Sequence, residues 1–542
     1  MGVERARWIV VPIVVAVALF LPAVGQRTIF ISDEARYALL ARNMVEQGHW
    51  LVPHIDREVH MEKPPLFMWA IALLSLPTRN VSELTATLPA ALSAIGGVAV
   101  TFLLGRRLFG GVGGLLAALI LATTPGYFSL ATVVLADMTV AFFIVCGVWF
   151  FWKAMETPES ERSAMIACYV CLGLALSAKG PAGLAPIVAF AAFLVWDGGW
   201  RGLRRLRPLM GLGIIAVIAS PWALAFALQR DTSYLHSVLV EDYLGPHASR
   251  WERFGEIFFV AGPLGVKFLP WSLFLPAAVW HGWRESDAAA RRKFALLLCW
   301  VLTYVVLMTA MSHKRERYLL PVYPAVALMV AWLWRDWMSS PAPRALRAHG
   351  WLWGVLAVAG AVALLLPLPL RTEEAVLLPP QLAVKILAAI GLVAAGAVGL
   401  RAATTGNARA SFSVIALTTV VMLGYEAWTF APRYNARYDV RGFAKRVASH
   451  VGPDDTLFAF ENSRLSYDFY LRRQVRETGD VEEIAASLAS ARPTYVIADE
   501  RARRTLDAAG IRLRILEETR LAGRTVVLAT RAEERADLRL RE

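Results

Sequence analysis

Charge is scarce in this sequence and cysteine scarcer. Only 18% of its 542 residues are Asp, Glu, Lys or Arg, against 57% hydrophobic, and the apolar residues stand in long runs that no water-soluble domain of this size would carry. Much of the chain therefore has lipid as its solvent. The four cysteines, Cys146, Cys168, Cys171 and Cys299, all fall inside apolar runs, where a thiol behaves as a small hydrophobe. That speaks against a disulfide framework and against a cysteine zinc site. An internal repeat between the two halves is not visible, and few charges sit in the middle of a run. Both absences weigh against a lipid or sugar transporter or flippase, the alternative from outside enzymology. The net charge of +13 raises the question of nucleic acid. Lys and Arg gather in short loops between apolar runs, however, and not along one groove or helix face, so the charge reads as membrane topology with no nucleic-acid partner.

What is present is a series of membrane spans. A span takes about 20 apolar residues, and runs begin near Trp8, Leu84, Val112, Met138, Ser163, Pro181, Leu209, Phe254, Phe294, Leu319, Trp351, Gln381 and Phe412. The expectation is a polytopic α-helical membrane protein with about thirteen transmembrane helices. The first run, Ile9 to Phe20 and on to Val24, reads as a retained helix rather than a signal peptide. Pro64 to Leu76 is too short to span and opens on Pro-Pro, which predicts a juxtamembrane helix on the outer surface.

Counting from a cytoplasmic N-terminus, one set of loops holds Arg106, Arg107, Arg201, Arg204, Arg205, Arg207, Arg284, Arg291, Arg292 and Lys293, then Arg335, Arg344, Arg347, Arg401 and Arg409. The positive-inside rule makes that set cytoplasmic. The alternate set holds the loop after Phe30, the Leu135 to Met138 turn, Ser177 to Gly183, Arg230 to Arg253, and Ser312 to Tyr318. Everything after Ala431 falls outside as well, and there charged and apolar residues alternate. Thr456 to Phe460, Thr494 to Ala498 and Thr525 to Ala529 read as strands, while Val440 to Val451 and Val481 to Ala491 have helical spacing. The predicted organisation is a transmembrane domain over 1–430 with a periplasmic loop at 31–80, then a periplasmic soluble α/β domain over 431–542.

The outer loops carry the unusual groups. The first opens with Ile-Ser-Asp-Glu-Ala-Arg-Tyr (Ile31 to Tyr37) and closes with Met-Glu-Lys-Pro-Pro (Met61 to Pro65). Others supply Leu-Ala-Asp-Met at Leu135 to Met138, Ala-Lys-Gly-Pro at Ala178 to Pro181, and His-Lys-Arg-Glu-Arg-Tyr at His313 to Tyr318. Any one of these has a plain explanation as a helix cap or an interfacial anchor. Their gathering on one side is harder to explain that way.

In order and spacing, Ser-Asp-Glu-Ala-Arg-Tyr, Glu-Lys-Pro-Pro-Leu and Gly-Arg-Arg-Leu-Phe-Gly (Gly105 to Gly110) resemble a known group: the aminoarabinose transferase and protein O-mannosyltransferase-like C-type membrane glycosyltransferases (GT-C). Asp137, Lys179, and Arg317-Tyr318 leading into Leu-Leu-Pro-Val-Tyr-Pro continue the resemblance, which covers roughly residues 1 to 335. It implies a GT-C fold, a polyprenyl (undecaprenyl) phosphate sugar donor, a membrane-embedded cavity for the lipid, and inverting transfer at the outer face of a bacterial inner membrane. At Val240-Glu241-Asp242 the aminoarabinose transferases tend to carry Glu-His, a place associated with metal binding, and here Asp242 stands in the histidine's position.

Breaking a sugar–phosphate bond leaves negative charge on the departing lipid phosphate, so cations must face it. Lys63, Arg36, Lys179, Arg250 and Arg317 are the candidates, with the hydroxyls of Tyr37 and Tyr323 as further donors. A hydroxyl acceptor needs a carboxylate opposite the leaving group, for which Asp33 comes first, Asp137 second, with Glu34 beside them. A phosphate acceptor of a lipid A-type glycolipid needs no strong base. A divalent metal ion (Mg, Mn or Zn) is a candidate cofactor, with Glu62 and Asp242 as oxygen ligands. A protein O-mannosyltransferase acting on Ser or Thr is the alternative among enzymes.

Overall fold

A computed structural model describes residues 8–56, 58–60, 63–229, 262–311, 315–339, 344–366, 381–461 and 463–532. It is a helical membrane bundle carrying a C-terminal sheet. Among the described residues ten helices are long and apolar enough to cross a membrane, so the expected thirteen crossings are not reached as separate long helices. The difference has identifiable sources. The 40-residue helix Glu83–Ala122 is two runs folded back at Gly110, whose φ of 81° and ψ of 178° no helix contains. A Cβ on Gly105 would stand 2.8 Å from the Gly114 Cα, so the two halves pack backbone to backbone as Leu84 and Val112 runs. The first run is an 11-residue helix, Val10–Phe20, continued by a 3-10 turn at Leu21–Ala23, shorter than the length of a full crossing. The run near Phe254 begins outside the described residues, and its described part continues into a 3-10 turn at Trp271–Phe274 and the nine-residue helix Leu275–Trp283.

Burial sorts the helices. Glu316–Ser339 is 89% buried over its most apolar stretch, whereas Leu382–Thr404 is 17% buried. The first is therefore the axis of the bundle and the second a lipid-facing wall. On the axis, Trp332 and Trp334 are fully buried, and Trp332 stacks on Phe109 with centroids 5.5 Å apart. The wall helices Arg344–Leu365 and Leu382–Thr404 meet through small residues, Gly350 on Ala403 and Gly396 on Ala357. In lipid, where burial between helices drives little, such close approach supplies the contact.

The two ends of the bundle differ. Asp137 and Glu156 bound one 20-residue helix, so they lie about 30 Å apart. At the Glu156 end sit Arg107–Glu156 (2.9 Å), Arg207–Glu161 (3.0 Å) and Arg292–Asp197 (2.7 Å), all from the loops read as cytoplasmic. At the Asp137 end sit the motifs of the alternate loops.

The first of those loops holds helix Ser32–Gln47, a small hairpin of β1 (His54–Ile55) and β2 (Glu58–Val59), and helix Leu66–Ser75. The last spanning helix runs on to Arg437, and the helix Val440–His450 follows it. The helix contains Pro432, and Tyr434 stacks on Tyr438 at 4.4 Å at its end. The tail is a five-stranded sheet in the order β4-β3-β5-β7-β6, with β3 Thr456–Phe460, β4 Arg476–Thr478, β5 Thr494–Asp499, β6 Leu513–Leu521 and β7 Arg524–Arg531. Strands β4, β3 and β5 are parallel, while β7 and β6 run antiparallel to their neighbours. Helices Val440–His450, Leu465–Leu471, Val481–Ala489 and Glu500–Ala508 complete it.

Candidate active site

Four segments far apart in sequence meet at the Asp137 end. Ser32–Gln47 starts directly after an extended Ile31 and carries Asp33 and Glu34 in its first turn, where acidic side chains suit the helix dipole. Asp137 opens its own helix, and Lys179 closes the helix Glu161–Lys179 ahead of Gly180, whose φ of 90° and following proline end it. Arg317 lies in the 3-10 turn Glu316–Val322 that leads into the axial helix.

Arg317 joins the two acids. Its Nη2 donates to Asp33 Oδ2 at 2.9 Å, and its Nε stands 3.6 Å from Asp137 Oδ2. Arg315 Nη1 donates to the same Asp33 oxygen at 3.0 Å. Lys179 holds the other oxygen of Asp137 in an ion pair and lies 4.5 Å over the Tyr318 ring. Arg36 stands 3.7 Å from Asp33 Oδ1. Lys63 is 5.7 Å above the Tyr37 ring, and Tyr37 meets Phe67 edge-on at 5.2 Å. Burial alone would raise the Asp33 pKa, but the charge of Lys63, the hydrogen bond and charge of Arg317 and the charge of Arg315 together hold it below the usual carboxylate range. Burial raises that of Tyr37, so its hydroxyl stays protonated.

The two acids are not equivalent. The Asp33 side chain is 17% exposed and that of Asp137 is 6%, so an incoming group reaches Asp33 more readily. Asp137 is the partner that fixes Lys179 and Arg317. Glu34, fully buried, belongs to neither: Arg27 Nη2 donates to it at 2.5 Å and itself lies 4.7 Å over the Tyr434 ring. Beside the cluster, a pocket of about 240 Å³ is lined by Ser129, Lys267, Arg315, Arg317 and Tyr323. Lys267 Nζ pairs with Glu316 at 2.9 Å, and the Tyr323 ring stands edge-on to Phe268 at 5.3 Å.

The structure thus brings together Asp33, Asp137, Lys63, Arg36, Tyr37, Lys179 and Arg317, puts Tyr323 in the adjoining pocket, and sets Glu34 apart. Arg250, Glu62 and Asp242 lie outside the described residues. Among the described residues no three His, Cys, Asp or Glu side chains group to hold a metal, and the acids present are matched with Arg and Lys. Sequence reasoning missed Arg315 and Lys267 as site residues. Arg315 has extended backbone (φ −128°, ψ 134°) directly ahead of the 3-10 turn that carries Arg317, and the usable signal was that both arginines stand in the same His-Lys-Arg-Glu-Arg-Tyr segment.

Comparison with known proteins places the fold and the sequence among membrane glycosyltransferases. Residues 62–224 match the dolichyl-phosphate-mannose-protein mannosyltransferase family, and residues 257–376 match the Alg9-like mannosyltransferase family. An undecaprenyl phosphate-alpha-4-amino-4-deoxy-L-arabinose arabinosyl transferase from Yersinia enterocolitica is 26% identical over 61% of this chain and 60% of its own length. A transferase of the same description from Pseudomonas fluorescens is 27% identical over 66% and 63%. The chain thus spans less than two thirds of the length of these curated relatives. In three dimensions it is similar to ArnT from Cupriavidus metallidurans, with a TM-score of 0.77 in the apo state and 0.75 for the structure bound to undecaprenyl phosphate. Identities are 21% and 20%, and each likeness covers 96% of this chain and 98% of the other. An Archaeoglobus fulgidus oligosaccharyltransferase follows at 0.53, with 11% identity over 92% and 69%.

The chain is accordingly a multi-pass membrane protein with the GT-C fold. Within that fold its sequence is similar to the aminoarabinose transferases named above.

Proposed function

We propose that the chain is an inverting glycosyltransferase that moves a sugar from a polyprenyl phosphate, such as undecaprenyl phosphate, to an acceptor of the cell envelope. The acceptor we favour is a lipid A-type glycolipid, reached at the outer, periplasmic face of a bacterial inner membrane. The observation that carries the reading is Arg317 bridging Asp33 and Asp137 at 2.9 and 3.6 Å, beside a pocket with Lys267 and Tyr323.

Charge accounts for the donor. Around the cluster and pocket, six described cations, Arg36, Lys63, Lys179, Lys267, Arg315 and Arg317, face three carboxylates, Asp33, Asp137 and Glu316. An excess of positive charge at a low-dielectric helix mouth suits a lipid-linked phosphate and stabilises it as it leaves. As the sugar–phosphate bond breaks, its electrons pass to the phosphate oxygen and positive charge grows on the sugar. The acceptor oxygen forms the new bond from the opposite side, which inverts the centre. For a hydroxyl acceptor, Asp33 takes the proton; its lowered pKa keeps it ionised for that step. For a phosphate acceptor, no base is required and Asp33 orients the sugar. Any divalent cation would be held by Glu62 and Asp242 and would neutralise the leaving phosphate.

The match of residues 62–224 to protein mannosyltransferases favours one second reading, transfer to Ser or Thr of a protein. The acceptor decides between them. Purified protein is incubated with a radiolabelled undecaprenyl-phosphate sugar, lipid A and a Ser/Thr-rich polypeptide. Label in the glycolipid fraction supports the reading, label in polypeptide supports the second, and label in neither sinks both.

A further inference from the structure

We propose that the tail helix Leu465–Leu471 is a positioning element that holds Asp33 against Arg317, which makes the globular tail a working part of the site. The inference rests on the transfer reading above.

The chain just before Asp33 is fastened by the tail. Ile29 N–H donates to the Tyr470 hydroxyl at 2.8 Å, Ser466 Oγ donates to the Phe30 carbonyl at 2.7 Å, and the hydroxyls of Ser32 and Ser463 are 2.9 Å apart. Thr28 N–H donates to Asn435 at 2.8 Å and its hydroxyl to the Tyr438 carbonyl at 3.0 Å, at the end of the last spanning helix. Further along the Asp33 helix, Arg42 is buried and meets the end of the same tail helix. Its Nη2 donates to the Phe469 carbonyl at 2.8 Å, its Nη1 reaches the Asp468 carbonyl at 3.4 Å, and its guanidinium lies 4.5 Å over the Phe469 ring. A buried guanidinium is costly without partners, and helix-end carbonyls are short of donors. The contact gives two of the guanidinium nitrogens acceptors and gives the Phe469 carbonyl a donor.

Tyr470 closes the brace. Its hydroxyl accepts from Ile29 and donates to Glu83 Oε1 at 3.0 Å, and Glu83 is also paired with Arg441. Arg464 ties Asp56 of the outer loop to Asp468 of the tail helix.

The location follows from the topology. Open α/β sheets place ligand sites outside the carboxyl ends of strands, where the strand order reverses. In the order β4-β3-β5 that point lies between β3 and β5. Ser463 and Arg464 follow β3, so the edge other folds offer to a ligand here grips residues 29–32 and Asp56. A tail that only needed an anchor could bind anywhere on the bundle. This one binds the strand into the Asp33 helix and the helix itself, where a shift of 1 Å costs as much as about a hundredfold in rate.

The test uses the full-length protein in lipid nanodiscs, with Arg42→Ala and the milder Tyr470→Phe. We expect kcat to fall about tenfold or more while the donor KM stays within about twofold. Backbone hydrogen exchange over 28–36 should rise at least about tenfold, a readout that needs no turnover. A Ser32→Cys/Ser463→Cys disulfide added to Arg42→Ala should restore kcat when oxidised and lose it again on reduction, which a general loss of stability would not reproduce. Unchanged exchange and kcat in folded Arg42→Ala, or a closed disulfide that restores nothing, overturns the proposal. If exchange rises but even the unaltered protein transfers no sugar, the brace stands and the transfer reading falls.

Discussion

Arg317 donates to Asp33 Oδ2 at 2.9 Å from a position that also faces Asp137 Oδ2 at 3.6 Å. A guanidinium spans two carboxylates because its donors form a rigid planar fork, which an ammonium lacks. Arg317→Lys keeps the charge but loses the fork, so the acids separate and transfer falls by about 2 kcal/mol or more of barrier. Steady-state turnover of the purified variant checks this; turnover equal to the parent protein would mean that charge alone suffices there.

Lys63 lies over the Tyr37 ring and close enough to Asp33 to lower its pKa. Lys63→Ala should raise the barrier to transfer by about 2 to 4 kcal/mol while the protein still inserts and folds. Full activity in that variant would return Lys63 to the role of an interfacial anchor.

The lowered pKa of Asp33 carries a pH signature. Its folded-state value lies below that of the unfolded chain, about 3.9. The stability its ion pairs contribute is therefore present above about pH 4 and lost as pH falls through the folded value. In kcat, the acid limb due to Asp33 should lie below about pH 4. A limb near neutrality that Asp33→Asn removes would contradict the assignment.

Topology can be read by labelling. In a cysteine-free background, Asp480→Cys in the tail should react with a membrane-impermeant maleimide from the outside, and Arg205→Cys should not, because loop charge sets orientation. Outside labelling of Arg205→Cys would separate the motifs from the periplasmic face.

The helical membrane fold was legible in the sequence, and so was the gathering of the charged motifs at one end of the bundle. Asp33, Asp137, Lys179 and Arg317 each sit where an apolar helix begins or ends, so counting crossings from the loop charges puts them on one side, and the structure joins them in one ion network. Arg315 escaped because the phosphate-facing role went to Arg317 alone in their shared motif, and Lys267 because it is a lone lysine inside the apolar run that begins near Phe254. Glu34 looks equivalent to Asp33 in a linear reading, yet one residue around a helix turns the side chain by about 100°, toward Arg27 and Tyr434. In the tail, β3, β5 and β7 show through their apolar runs. Strand β6, Leu-Arg-Ile-Leu-Glu-Glu-Thr-Arg-Leu, does not, because it is an edge strand whose alternation is broken by an irregularity between Ile515 and Glu517. The brace between tail and loop links residues some 430 positions apart, such as Ser32 and Ser463, which are separated by 431, and no local pattern reports such a pairing.

The central claim is that Asp33 acts in sugar transfer through its charge, and Asp33→Asn tests it most directly. Asn matches Asp in size and serves a helix start about as well, so a purely structural Asp33 would tolerate it. Transfer from undecaprenyl-phosphate sugar is measured with purified Asp33→Asn protein whose melting temperature matches that of the parent. A fall of at least about a hundredfold, the scale for losing a general base or an orienting charge, is the predicted result. Transfer at near-parent rate would contradict the account.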